Sequence, residues 1–164
     1  MYASRFSATD DLIVHLTPLV SAITDSRLKA YYAGFISVNA VTVYELAIKD
    51  IFKDFAEKKH AVFGCFAQNH FVRINGRIKL QELKDHINLF GKKYEDRFKK
   101  QLKSKEDQAL SKRKISLINC YNNLITCRHQ YVHGGAPTLT FSEVLDFYNN
   151  GKEIIDVLAN TMKR

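Results

Sequence analysis

The sequence predicts an all-α bundle of four to five main helices. Three observations carry that expectation. The 164 residues include only two prolines and seven glycines, too few for the turns of an all-β domain of this length. Apolar residues recur at three- and four-residue spacing over long stretches, and no pattern demands a sheet. At 18.9 kDa the chain holds one domain's worth of core, so residues 1–164 read as a single helical domain.

Thr9 before Asp10 and Asp11 reads as a helix start, a capping side chain followed by acids near the positive end of the dipole. Leu12, Leu16, Leu19, Val20 and Ile23 continue the apolar stripe, with Pro18 expected to kink or break it. Ser26 opens the longest helix, Arg27 to Lys58. It contains the longest stretch without a charge, the fifteen residues Ala30–Tyr44. A membrane span needs about 20 mostly apolar residues, so this stretch reads as a buried core helix, and the protein is expected to be soluble and cytoplasmic. Residues 61–78 are ambiguous: Ala61 to Phe71 can form a short helix, and Asn75-Gly76 signals a turn. Leu80, Leu83, Ile87 and Phe90 recur at helical spacing, with Gly91 as the expected C-cap.

Lys plus Arg is 25 against 17 Asp plus Glu, a net charge of +8. Of that excess, +6 lies between Lys92 and Lys114, where ten Lys or Arg face Glu95, Asp96, Glu106 and Asp107. This segment reads as a solvated helical face or hairpin, and also as a surface able to track phosphates through Lys99, Lys100, Lys103, Lys112, Arg113 and Lys114. Phe98 and Leu102 are expected to pack its inner side down. Cys65, Cys120 and Cys127 are too few for a disulfide framework and form no CxxC pair, so reduced thiols and no structural zinc are expected.

A second core helix begins near Ile115 and runs through Leu117, Ile118, Tyr121, Leu124 and Ile125 into Cys127-Arg128-His129-Gln130-Tyr131-Val132-His133. Gly134-Gly135 ends it and Pro137 keeps it from resuming. Thr140 and Glu143 form a capping box for the last helix, in which Asn149-Asn150-Gly151 threatens a break. With eight Arg and six His, about 0.3 Arg–His pairs at a spacing of five are expected by chance. The bare pair Arg128-x4-His133 is therefore weak, but its place is not. Both residues close a strongly apolar helix, beside the second imidazole of His129.

Arg128-His129-x3-His133, closing the penultimate core helix before Gly-Gly and a capped terminal helix, resembles the R-x(4–6)-H motif of HEPN domains. Within that superfamily the chain is most similar to the RiboL-PSP type, in which a long early helix carries a glutamate; Glu45 fits. The residue after the motif Arg is most often Asn there, whereas here it is His129. Gly135 stands where HEPN partners of nucleotidyltransferases carry Tyr, which argues against that branch. The resemblance implies a small all-α HEPN-like bundle forming a two-fold homodimer with paired motifs in one cleft. It also implies a metal-independent endoribonuclease of toxin–antitoxin or antiviral defence systems, with RNA as substrate and a cognate antitoxin or operon partner.

The residues suit that chemistry. An imidazole can donate or accept a proton near neutral pH, which gives His133 the proton-transfer role. Arg128 stays charged and presents a planar fork to phosphate oxygens. No carboxylate cluster suits a two-metal site, and no cofactor is expected. Five residues along an ideal helix place Arg128 and His133 roughly 140° apart and about 7.5 Å along the axis. Convergence on one phosphate therefore needs either a distorted last turn or a second copy. Other readings stand beside these. Glu45 either orients Arg128 or pairs with Lys49 at i+4. Tyr131 either packs an interface or stacks on RNA. His129 either joins the motif or serves the backbone. Finally, the whole domain could bind RNA or a partner protein without cutting.

Overall fold

The computed structural model describes residues 2–74, 76, 78–135 and 138–163. Those residues form a short 3₁₀ segment, Tyr2–Phe6, and seven helices: α1 (Ser7–Ala22), α2 (Ser26–Lys59), α3 (Ala61–Phe71), α4 (Leu80–Asn88), α5 (Lys92–Arg113), α6 (Leu117–Val132) and α7 (Phe141–Met162). Five are long and two are short, and there is no strand among the described residues. No helix among them is long and apolar enough to cross a membrane.

The 34 residues of α2 make it the axis of the bundle. Asp25 starts it by accepting from the Arg27 and Leu28 amides, so the cap is Asp25 and not Ser26. Its inner positions alternate small and large residues, with Ala33, Ala40, Ala47 and Ala56 beside Ile36, Tyr44, Ile48 and Phe52, all fully buried. At its center three tyrosine rings stack across three helices. Tyr44 lies 5.7 Å from Tyr121 of α6 and 5.9 Å from Tyr148 of α7. Every hydroxyl in the stack donates: Tyr44 to the Tyr148 carbonyl, Tyr121 to the Ile78 carbonyl and Tyr148 to Asp10. At the end of α2 toward α3–α5, Phe52, Phe71 and Phe90 form a second aromatic cluster, with Phe55 seated between Phe90 and Tyr94.

Several expectations are corrected. Helix α1 begins at Ser7, so Thr9 lies inside it, buried, and is not its cap; Asp10 is in the first turn as expected and also accepts from Tyr148 and Lys152. Pro18 does not end α1, which runs four residues past it. Gly91 is not the C-cap of α4, a place taken by Leu89; with φ +118 it is the residue from which α5 starts. The basic segment is one continuous helix, and Phe98 and Leu102 are buried beneath it as expected. Helix α7 runs unbroken through Asn149-Asn150-Gly151. Gly151 is there because a Cβ would stand 2.6 Å from the Tyr44 hydroxyl oxygen. The residue is a packing requirement of the stack and not a helix stop. The Thr140–Glu143 capping box forms, and Cys120 and Cys127 are buried as expected. Asn75 and Pro137 lie outside the described residues.

This packing sets a test. Gly151→Ala gains about 1 kcal/mol of helix propensity but overpacks Tyr44 by roughly 1–3 kcal/mol, so it should lower the urea midpoint. In a Tyr44→Phe background the same substitution should be neutral or stabilizing. Equal destabilization in both backgrounds would contradict the packing argument.

Candidate functional site

The motif closes α6 in a Schellman turn. The Gly135 amide donates to the Gln130 carbonyl at 2.9 Å and the Gly134 amide to the Tyr131 carbonyl at 3.2 Å. Gly134 takes φ +82, a conformation that glycine adopts without steric cost. The turn begins only after His133, whose own amide still bonds to the His129 carbonyl at 3.2 Å. Helix α6 is therefore regular to its end, and Arg128 and His133 keep their separation of roughly 140°. Of the two ways to bring them together, distortion of the last turn is not used.

His129 and His133, one turn apart, are both exposed, with ring centroids 4.4 Å apart and planes at 58°. Arg128 is half-buried and faces a different neighborhood. Its Nη1 lies 3.8 Å from where a Cβ on Gly76 would sit, and Oε1 of Glu45 lies 3.9 Å from the same point. Gly76 has φ +80, so the backbone conformation favors glycine there. Described residues on either side of it are held in place. Ile74 and Ile78 are buried, Tyr121 donates to the Ile78 carbonyl at 2.6 Å, and Lys49 donates to the Val72 carbonyl at 3.1 Å. Lys49 is thus spent on the loop and is no partner of Glu45. Among the described residues the side chains of Arg128, Glu45, His129 and His133 form no hydrogen bond or ion pair, nor does any group of three potential ligands able to hold a metal ion occur.

Tyr131 packs within the chain. Its ring covers Gly34 so closely that a Cβ at position 34 would lie 2.1 Å from Cδ2. One turn earlier on α6 the buried Cys127 lies beside Ser37 of α2, whose hydroxyl donates to the Gly34 carbonyl at 2.7 Å. Burial pushes the Cys127 thiol up, which keeps it protonated and inert. Gly34 and Ser37 thus let α6 approach α2 closely at the end that carries the motif. Sequence reading missed Gly34, which had a signal, an isolated glycine inside a helical run, which points to a packing reason. It marked Gly76 only as part of a turn.

The basic residues lie elsewhere. Sequence adjacency joins α5 to the start of α6, not to its end. Arg113 pairs with Glu153 at 2.6 Å and Asn150 at 3.3 Å, and Arg97 donates to the Thr161 carbonyl. Lys99 pairs with Glu95, as does Lys92 at 2.7 Å; the hydrogen bonds from Lys92 and then Lys99 hold the Glu95 carboxyl below the usual carboxylate range. Lys100, Lys103, Lys112 and Lys114 form no ion pair among the described residues. Lys114 ends α5 with φ 58. Glu106 then accepts from the Leu117 and Ile118 amides at 2.8 and 3.2 Å, capping α6 with negative charge at its N-terminus. Lys112, Arg113 and Lys114 therefore sit at the end of α6 far from His133, and Lys99, Lys100 and Lys103 lie further back along α5.

Gly34→Ala should displace the Tyr131 ring and lower stability by roughly 1–3 kcal/mol, read as a lower urea midpoint. Tyr131→Ala should recover part of that loss in the Gly34→Ala background. An unchanged midpoint for Gly34→Ala alone would contradict the close seat.

No curated protein and no solved structure matches the chain. A family model does match, over residues 3–164. With the all-α bundle in place and the match spanning it nearly end to end, the chain belongs to the RiboL-PSP-HEPN family, a family of HEPN domains.

Proposed function

We propose that the chain is a metal-independent endoribonuclease acting as a two-fold homodimer. The observation that carries this reading is the end of α6, where two exposed imidazoles and a half-buried guanidinium form no side-chain hydrogen bond or ion pair among the described residues. Polar groups kept unpaired on a firmly built frame are what a phosphate-handling site needs. In the proposed reaction an imidazole takes the proton of a ribose 2′-hydroxyl, the 2′-oxygen attacks the adjacent phosphorus, and the P–O5′ bond breaks as an acid protonates the leaving oxygen. Arg128 stabilizes the charge that develops on the phosphorane. His133 is the main proton-transfer group, with His129 beside it.

The attacking and leaving oxygens stand on opposite sides of phosphorus in an in-line displacement. His129 and His133 lie against each other and reach out from the same helix end, so one copy supplies base or acid, not both. A second copy supplies the other. An apolar stripe supports that contact: Leu28, Tyr31 and Phe35 on one face of α2 are 42%, 44% and 44% exposed, and Val132, next to His133, is 49% exposed. Glu45, across Gly76 from Arg128, acts as a positioning residue. In this reading the nuclease serves as a toxin or antiviral defence effector on cytoplasmic RNA, restrained by a cognate antitoxin.

The purified protein should cleave total RNA in EDTA. Arg128→Ala and His133→Ala should each lower the rate by about 100-fold or more with unchanged urea midpoints. Cleavage that survives both substitutions would refute the site, and salt-sensitive binding without cleavage would favor a non-catalytic RNA-binding module. Phe35→Glu should convert the dimer to monomer in light scattering and abolish cleavage with the fold intact; a fully active monomer would contradict the shared site.

A further inference from the structure

We infer that the groove between α5 and α7 is a second phosphodiester-binding site, which grips an RNA strand about 30 Å from where it is cut. The inference rests on the ribonuclease reading above. The groove measures about 600 Å³, and the described residues that line it are Arg97, Lys100, Gln101, Ser104, Asn160 and Lys163. Three are cations and three are neutral side chains able to donate hydrogen bonds. No carboxylate and no aromatic ring is among them.

That composition survives because the acids nearby are spent elsewhere. Glu95 is taken by Lys92 and Lys99, and Glu153 by Arg113 and Lys105. Asp96 faces Lys92 at 3.5 Å, and Asp156 accepts from the Tyr2 hydroxyl at 3.0 Å. The ion pairs take up Lys92, Lys99, Lys105 and Arg113 of α5 and leave the cations of the groove uncompensated. Arg97 is already oriented, donating to the Thr161 carbonyl at 3.4 Å with its guanidinium 5.6 Å from the Tyr94 ring centroid. Lys163 is steadied by Asn160 at 3.1 Å. Gln101 is fixed through Oε1 by the Thr161 hydroxyl at 3.1 Å, which leaves its NH₂ as a donor. Uncompensated cations with neutral donors suit phosphate oxygens. Without a ring to stack a base, the grip is on the backbone and blind to sequence.

Helix α2 measures the distance to the cleavage site. Gly34 seats Tyr131 beside the motif, while Phe55 shares a cavity with Ala159 and Met162 next to the groove. The stretch of α2 between them spans about 30 Å at 1.5 Å per residue. A stacked strand carries one phosphate per roughly 3.4 Å, so about nine nucleotides are needed to occupy both places. The α5 charge therefore selects long RNA over fragments, rather than assisting the chemistry.

The test measures RNA affinity with His133→Ala protein, so that the RNA stays intact, using single strands of about 20 and about six nucleotides. Adding Lys100→Gln and Lys163→Gln should weaken the longer RNA roughly tenfold, make its salt slope shallower by about 1.4 and leave the shorter one unchanged. Lys112→Gln with Lys114→Gln, the same charge change outside the groove, should cost far less. If the two double variants lose equally, or Lys100→Gln/Lys163→Gln binds the longer RNA like its parent, the groove is refuted while the nuclease reading stands. If the parent binds no RNA of either length, both readings fall together.

Discussion

The stack of Tyr121, Tyr44 and Tyr148 is the constraint on which the rest of the molecule depends. Three large rings at the center of a bundle bury a great deal of apolar area, but each brings a hydroxyl that must find a partner once water is gone. Burial raises all three phenols well above their ordinary value, the neighboring rings adding to this for Tyr44 and Asp10 for Tyr148, so they act as neutral donors throughout. Their acceptors fix geometry. The Tyr44 hydroxyl against the Tyr148 carbonyl, with Gly151 clearing the space, sets the register of α7 on α2. The ring of Tyr121 sets that of α6. Removing one acceptor would strand a buried hydroxyl, at a cost of about 1–3 kcal/mol.

That register reaches the candidate site by two routes. Along α6, antiparallel to α2, Tyr121 on Tyr44 aligns Cys127 with Ser37 and Tyr131 with Gly34. The motif's helix end is thereby pressed to one place on α2. Through its hydroxyl, Tyr121 also holds Ile78, and with it the loop whose Gly76 separates Arg128 from Glu45. The frame is rigid, but one copy of it points the guanidinium and the imidazoles in different directions. A regular α6 does not bring them together on one phosphate, and this favors a cleft built from two copies.

What could be read from the sequence was whatever local spacing decides. The long helices, the short one at Ala61–Phe71, the Thr140 capping box and the Gly134-Gly135 stop follow from periodicity and backbone chemistry within a few residues. Errors fell where a distant partner decides. Gly151 reads as a break until Tyr44, more than 100 positions away, accounts for it. Thr9 reads as a cap, yet it lies buried inside a helix that begins at Ser7. The same holds for the site. Arg128, His129 and His133 stood out by pattern, but Gly34 and Gly76 matter only through contacts made in three dimensions. The basic segment precedes α6 in the chain and so adjoins the start of that helix, away from the motif at its end.

The central claim is that imidazoles at the end of α6 move protons for an attacking 2′-hydroxyl. The most direct measurement is the end chemistry of RNA cut by the protein in the presence of a chelator. Attack by the 2′-oxygen leaves a 2′,3′-cyclic phosphate on one fragment and a 5′-hydroxyl on the other, and mass spectrometry of the products should find that pair. Fragments ending in 3′-hydroxyl and 5′-phosphate, or cleavage that stops when divalent ions are removed, would contradict it.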